Sequence, residues 1–415
     1  MIGLMDCNNF FVSCERLFRP DLRNRPVAVL SSNDGCIVAR SQEVKDLGIS
    51  MGVPLFQVKD ICKKHNIVLF SSNFKLYRDI SLRVMSALKD EFEICEQYSI
   101  DESFFTIRES ATENDMEAVR ARIMQKTGIP VSIGVAKTKT LAKIASTIAK
   151  KGTGVCMMND SVWNASVKDM SCGSVWGIGR RISASLTRDG IYTISDLLTQ
   201  DNAFIRSRFG VMGERVCMEL RGTSAYPFGV SVDSFQESYA STRSFGKPVT
   251  SRLVLMSALS YHVEHIAEKL RMHNLVASII TIEIRGSRFG EYSHRKGTLS
   301  SVFSMPTSDT FVLTKEVEQL LDTLFDSEIP YKKAGVVVSG IAPESYAPVS
   351  LFGPDAKTLR TDSLSALSDS LNSRFGRGSL IHASTLGTEK WQEHKTHMSP
   401  EYTTSWSQIA CIKAK

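Results

Sequence analysis

No stretch of this 415-residue chain approaches the roughly 18 consecutive apolar residues of a membrane-spanning helix, so no membrane association is expected. No CxxC pair occurs. The nine cysteines (7, 14, 36, 62, 95, 156, 172, 217 and 411) are odd in number and scattered. That argues against a disulfide framework or a zinc ribbon and for a reducing compartment. Repeats and low-complexity tracts are also missing. The opening MIGLMDCNNF has no basic stretch and meets Asp6 after five residues, so it does not read as a secretory signal. A cytoplasmic protein is expected. Charge is nearly balanced, with 50 Lys+Arg against 44 Asp+Glu and a formal net charge of +6. This permits a polyanionic partner without pointing to one. Hydrophobic residues at 42% and charged residues at 23% exclude wholesale disorder. The length is about three times the ~150-residue domain prior, so two to four domains are expected.

The first ~165 residues alternate short apolar runs with helical periodicity and read as an α+β domain. Ile2 to Met5, Val27 to Leu30 and Pro130 to Val135 read as strands, and Ile94 to Ile107 as two extended pieces meeting near Asp101-Glu102. Leu141, Ile144, Ala145 and Ile148 recur at the spacing of an amphipathic helix. Between Trp163 and about Tyr226 the pattern is short helices punctuated by glycine. From about Ser231 a second α+β unit follows. Its strands are expected at 239–245, 277–285, 298–302 and 334–341, and its helices near 252–272 and 310–325. A linker is expected around 342–348, then a tail with one helix over 359–375.

Asp6 stands where an apolar strand runs out, and Asp101-Glu102 is flanked by apolar residues on both sides. Three carboxylates brought together at strand ends would repel each other and resist desolvation. Divalent metal would remove that cost, and Mg²⁺ favours carboxylate oxygens plus substrate phosphates. Two such ions can clamp the attacking and leaving oxygens of phosphoryl transfer. The ordinary alternative is a set of solvated strand-end acids, and periodicity alone does not bring the two segments together.

Basic residues form three further groups. From Val131 to Met158 there are five lysines and no acid. Lys137 to Thr140 is expected to precede a helix with Lys143 in its first turn, a natural phosphate site. Lys150 and Lys151, at the far end, complement the helix dipole and are assigned to solvent. In Ser174 to Arg181, Gly177 and Gly179 make a tight turn that suits a helix–hairpin–helix gripping a phosphodiester, with Arg180 and Arg181 adding charge. Arg285, Arg288, Arg295 and Lys296 alternate with apolar residues as a basic stripe fit for a nucleic-acid backbone. The 231–355 segment holds 12 Lys+Arg against 14 Asp+Glu, so such a face is local. His262-x-x-His265 and His394-x-x-His397 have no third ligand nearby and read as core or surface histidines.

Taken in order, Asp6 to Phe11, Asn33 to Arg40, Ser99 to Phe104 and Gly134 to Lys143 resemble the motifs of the Y-family translesion DNA polymerases. Within that family the chain is similar to the bacterial UmuC branch, nearly end to end, including Trp391-Gln392 and Met398 to Thr404. The resemblance implies an α+β right-hand polymerase. Its palm would be 1–30 and 78–165, its small fingers 31–77, and its helical thumb with the helix–hairpin–helix 166–230. The little-finger domain would be 231–342, the linker 343–355 and the C-terminal tail 356–415.

The same resemblance assigns roles. Asp6, Asp101 and Glu102, with the main-chain carbonyl of Cys7, would hold two Mg²⁺ ions. Phe11 would be the steric gate against a ribose 2′-hydroxyl, with Phe10 beside the incoming dNTP. Lys45 and Lys143 would contact its triphosphate. Gln42 stands where the family usually has tyrosine, which puts one phosphate hydrogen bond in doubt. Gly35, Cys36, Val38 and Ala39 would cover the templating pair. Ala347 to Phe352 resembles a sliding-clamp peptide, with Val349, Leu351 and Phe352 as its anchors and Pro348 in place of the usual leading Gln. Expected partners are primer-template DNA, a processed UmuD-type dimer, RecA and the sliding clamp. The implied activity is error-prone synthesis past damaged bases in the SOS response. Two rivals are a nucleotide cyclase on a palm-like fold and a non-catalytic damaged-DNA-binding accessory. The first has no use for a helix–hairpin–helix or a clamp peptide. The second has no use for Asp6, Asp101, Glu102 and Lys143 together.

Overall fold

The computed structural model describes residues 1–229, 236–287, 296–346, 356–376, 378–386, 391 and 395–409, with backbone alone for 356–362. The chain forms two units, Met1–Ser231 with Thr396–Lys415, and Val232–Lys395. The stretch 356–415 is therefore divided between them.

In the first unit, β1 (Ile2–Cys7) lies at the centre of a five-stranded sheet. Its neighbours are β6 (Glu102–Thr106) and β7 (Val131–Ala136), with β5 (Cys95–Gln97) and β8 (Val155–Met157) at the edges. A smaller sheet holds β2 (Val27–Leu30) between β3 (Ile37–Arg40) and β4 (Val68–Ser71), with α2 (Gln42–Asp46) and α3 (Leu55–Lys64) beside it. Successive side chains of a strand point to opposite faces. Met5 and Cys7 pack with α1 (Phe10–Phe18), α4 (Phe74–Lys89) and α5 (Glu113–Thr127). Leu4 and Phe104 face the other way, onto α6 (Lys139–Ala149) and the helical region that follows. Alternation places Asp6 and Glu102 on that second face, toward α6.

α6 lies very close to the sheet because position 134 has no side chain. A Cβ on Gly134 would stand 2.0 Å from the Ser146 nitrogen and 2.4 Å from the Ala142 carbonyl oxygen. Beyond β8 the described chain is helical to residue 220. It contains α7 (Asp160–Val162), α8 (Arg180–Arg188), α9 (Ile194–Leu198) and α10 (Asn202–Leu220), the last broken at Gly210.

The second unit is an antiparallel sheet in the order β11 (Lys296–Thr307), β10 (Leu275–Gly286), β12 (Tyr331–Pro343), β9 (Ser238–Val249). α11 (Arg252–Met272) and α12 (Thr310–Leu324) cover one face, and α13 (Ala356–Phe375) follows. The four strands run past their apolar runs because the backbone ladder continues where side-chain patterning stops. His262 of α11 is a core histidine, 2% exposed, with Nδ1 2.8 Å from the Ser241 hydroxyl. Burial, aided by Arg243, His265 and Lys333, pushes it down to about 3 from its ordinary 6.5. The unfolded chain takes up that proton at a higher pH than the folded one. The neutral imidazole therefore contributes stability above about pH 6.5 that is lost as pH falls toward 3. His262→Gln, neutral throughout, should flatten this acid-side loss in urea melts at pH 7, 5 and 4. An unchanged pH slope would refute the assignment.

Candidate active site

The strand register brings the two acidic segments together. Asp6 on β1 is directly opposite Glu102 on β6. Asp101 sits in the turn just before Glu102, where its carbonyl accepts the Cys7 N–H at 2.9 Å. Ser99 organises the turn. Its hydroxyl donates to Asp101 Oδ1 at 2.6 Å and accepts the N–H groups of Asp101 and Glu102 at 3.2 and 3.0 Å. Asp6 is only 6% exposed. Burial raises its carboxyl to about 7; Lys150 counteracts the rise and Glu102 adds to it.

Two lysines answer the acids. Lys150 Nζ lies 2.5 Å from Asp6 Oδ2, and Lys143 Nζ lies 2.8 Å from Glu102 Oε2. Lys143 also sits over the rings of Tyr98 and Trp176, at 4.7 and 5.6 Å. The Trp176 indole N–H donates to the Tyr98 hydroxyl at 3.0 Å. Lys150 is exposed, as expected, but it is not merely solvated, since it pairs with Asp6. Seven residues separate it from Lys143, close to two helical turns, so both lysines point to the sheet. That spacing was visible in the sequence. Asp101 has the Ser99 hydroxyl instead of a lysine, and no three His, Cys, Asp or Glu side chains among the described residues converge as a metal cage.

The expected phosphate site at the start of α6 is also corrected. Thr138 caps the helix, accepting the Leu141 N–H at 3.4 Å, so Lys143 falls in the second turn. The free N–H groups there already have an anion: Thr140 N–H donates to Glu219 Oε2 at 2.9 Å. Lys139 is buried against Glu96 at 2.7 Å. Glu219 lies 79 residues away from Thr140, and no local pattern announces it.

Next to the acids, Phe10 is buried and Phe11 half-buried. The Phe11 ring stacks on Tyr77 (4.6 Å, 15°) and meets Phe74 edge-on at 5.8 Å. Lys45 Nζ donates to Asn9 Oδ1 at 2.6 Å. Burial lowers its pKa, and Arg40 and Lys150 lower it further, so three cations gather at this end of the site. Gln42 donates to Asp46 at 2.8 Å on its own helix. Gly35 and Cys36 form the turn into β3. The Leu55 N–H donates to the Gly35 carbonyl at 2.9 Å and the Ser31 N–H to the Cys36 carbonyl at 2.7 Å. Val38 and Ala39 lie half-buried on β3.

Farther along, Gly177 takes a positive φ of 93°, and a Cβ there would press on Val216 at 2.9 Å. Gly179 caps α8 with open space around its Cα. Arg180 and Arg181 begin that helix, exposed, and share an open concavity with Arg188 and Arg208, which sequence reasoning passed over. In the second unit Arg285 pairs with Glu283 on its own strand and is in register with exposed Lys296. Arg288 and Arg295 lie outside the described residues, as do Val349, Leu351 and Phe352. No helix among the described residues is long and apolar enough to cross a membrane.

The impB/mucB/samB family matches residues 5–147, and its C-terminal domain matches 236–351. A domain of unknown function (DUF4113) matches 362–412. Protein UmuC of Salmonella typhimurium is 35% identical over the full length of both chains. Protein SamB of the same organism is 36% identical, also over the full length of both. DNA polymerase IV 2 of Bacillus subtilis is 26% identical, covering 93% of this chain and 94% of the relative. A solved Y-family DNA polymerase chimera of Dbh and Dpo4 superposes with a TM-score of 0.67 at 21% identity. It covers 82% of this chain and 99% of its own.

Proposed function

Since this chain belongs to the impB/mucB/samB family, in the UmuC branch of the Y-family DNA polymerases, we propose how its residues divide the work of error-prone translesion synthesis. It is a DNA-directed DNA polymerase. The observation that carries the assignment of chemistry is the placement of Asp6 opposite Glu102, with Lys143 and Lys150 reaching them from one face of α6.

The donor set suits a hard divalent cation: three carboxylates, one of them buried, beside the main chain at Cys7. Asp6, Asp101, Glu102 and the Cys7 carbonyl would hold two Mg²⁺ ions. When bound, these supply charge stabilisation to the attacking and leaving oxygens. The chain's own part is positioning, because phosphoryl transfer asks little covalent work of the protein. Lys45, Lys143 and Lys150 bind the triphosphate of the incoming dNTP, the last two turning from the carboxylates to the phosphates. Phe11 covers the sugar and Phe10 packs beside it. Gly35, Cys36, Val38 and Ala39 present a small, weakly shaped surface to the nascent pair, which tolerates a damaged template base. Gly177, Gly179, Arg180 and Arg181 hold the duplex backbone. Arg285, Arg288, Arg295 and Lys296 do the same from the second unit, with Arg285 exchanging Glu283 for phosphate.

On this reading 1–30 and 78–165 are the palm, 31–77 the fingers, 166–230 the thumb and 231–342 the little finger. Val349, Leu351 and Phe352 dock on the sliding clamp. A processed UmuD-type dimer and RecA complete a cytoplasmic assembly that acts in the SOS response; membership of the UmuC branch supports these partners. A non-catalytic role gains nothing from Asp6 and Glu102 held opposite each other with a lysine on each.

Primer extension past an abasic site, with Mg²⁺ and dNTPs, tests the reading with and without clamp, processed UmuD and activated RecA. Bypass is expected. Lys150→Ala should lower kcat/KM for the dNTP roughly 10- to 100-fold, because a charge-assisted phosphate contact is lost. No extension under any condition, despite tight primer-template binding, would overturn the polymerase mechanism.

A further inference from the structure

The C-terminal segment 396–402 is built into the first unit. The Ser71 N–H donates to the His397 carbonyl at 2.9 Å, and the His397 N–H to the Ser71 hydroxyl at 3.0 Å, at the end of β4. Thr396 donates to Asp34 Oδ2 through both its N–H (2.8 Å) and its hydroxyl (3.0 Å). Tyr402 stacks on Phe18 at 4.5 Å and 8°. Asn73 joins this segment to α4. Its Oδ1 caps the helix at the Leu76 N–H, and its Nδ2 faces the Ser399 carbonyl, the Ser399 hydroxyl and the Pro400 carbonyl at 3.1–3.3 Å.

One hydrogen-bond chain then runs inward. Ser399 is 6% exposed, and its hydroxyl donates to Glu15 Oε1 at 3.0 Å. The Tyr77 hydroxyl donates to the same oxygen at 2.6 Å. Glu15 and Tyr77 are both fully buried, and Glu15 Oε2 has no hydrogen-bond partner among the described residues. Tyr77 is the ring on which Phe11 stacks, and Phe74, on the same helix, closes the other edge. Among the described residues, the C-terminal segment thus supplies one of two side-chain donors to a buried carboxyl group that orients the platform under Phe11. A buried acceptor that loses a donor takes the full desolvation penalty or moves to find another.

We propose that Ser399 is a positioning residue for sugar selection: acting through Glu15 and Tyr77, it fixes the Phe11 ring, so rejection of ribonucleotides depends on the C-terminal segment. This rests on the reading of Phe11 as the sugar gate. It gives part of the stretch matched by the domain of unknown function a task in the reaction, beyond tying the chain down.

The test compares kcat/KM for a correctly paired dNTP with that for its rNTP, using the full chain on undamaged primer-template with Mg²⁺. Ser399→Ala should reduce the dNTP/rNTP ratio about fivefold, the effect of one buried hydrogen bond, mostly through a better rNTP KM. Tyr77→Phe keeps the stacked ring but removes the hydroxyl, and should act in the same direction. In a Phe11→Ala background, Ser399→Ala should add less than about twofold, because its route runs through the missing ring. The proposal falls if the folded Ser399→Ala protein keeps wild-type discrimination, or if its loss is as large without Phe11. Should Ser399→Ala fail to fold, wild-type discrimination by Tyr77→Phe overturns the proposal instead. If Phe11→Ala alone leaves discrimination intact, the gate reading itself is wrong and this inference goes with it. If Phe11→Ala abolishes discrimination but Ser399→Ala does nothing, only the coupling to the C-terminal segment is wrong.

Discussion

Asp101→Asn should cut nucleotide incorporation by about a thousandfold or more while leaving primer-template affinity within about threefold. The substitution is nearly isosteric, and the local fold has reasons to survive it. The Cys7 N–H bonds to the main-chain carbonyl of residue 101, which is unchanged. The Ser99 hydroxyl can still donate to the amide oxygen in the place of Oδ1. What disappears is one negative charge from a cluster whose other members, Asp6 and Glu102, each have a lysine within 2.8 Å. An amide oxygen is a weaker ligand for a divalent cation and offers no charge to offset it. On the proposed division of roles DNA is held by other residues, including Arg180, Arg181 and Lys296, so anisotropy with labelled primer-template should show little change. A fully active Asp101→Asn protein in single-nucleotide incorporation would sink the assignment of the carboxylates. A variant that loses DNA binding along with activity would point to a folding defect, which its thermal melt would reveal.

What could be read in advance followed from local chemistry. Asp6 was conspicuous because an apolar strand ran out at an acid, and Asp101-Glu102 because acids interrupted apolar residues. Both segments are strands or strand ends, and the antiparallel register between β1 and β6 makes them neighbours. The second unit's strands were expected at 239–245, 277–285, 298–302 and 334–341, and each lies within an observed strand. Lys150 is exposed as expected, and its two-turn spacing from Lys143 is what makes its pairing with Asp6 legible. Glu219 is not legible in the sequence, and Ser399 is legible only as a member of the Met398 to Thr404 match, with no role attached to it. Each acts across a large separation, 79 residues from Glu219 to Thr140 and 384 from Ser399 to Glu15. No local pattern distinguishes Glu219 from an ordinary helix glutamate, and the motif around Ser399 does not point to Glu15. Glu219 takes the helix end where phosphate was expected, because a buried carboxylate also satisfies those N–H groups. The anion site was correctly recognised and its guest was not.

Phe11→Ala should bring the second large effect, a loss of about a hundredfold or more in discrimination against ribonucleotides, near 2.7 kcal/mol of transition-state selectivity. The argument starts from how little freedom the ring has. It stacks on Tyr77, meets Phe74 edge-on at 5.8 Å, and lies 5.8 Å from Phe10. Tyr77 cannot yield, since it is fully buried and hydrogen-bonded to Glu15 at 2.6 Å. A 2′-hydroxyl pressed against such a ring finds neither space nor a hydrogen-bond partner, so it loses water without replacement. Alanine removes both penalties. The surrounding aromatic rings cannot refill the volume without breaking their own stacking. Incorporation of the dNTP should fall far less than discrimination does, because on the gate reading a 2′-deoxy sugar would make only apolar contact there. The Phe11 ring is half-buried, so its removal should cost about 1–2 kcal/mol of stability, visible as a lower melting temperature in a protein that still folds. The decisive ratio is kcat/KM for a matched dNTP over that for its rNTP, measured for wild type and variant on the same template. Unchanged sugar discrimination in a folded, DNA-binding Phe11→Ala protein would refute the gate.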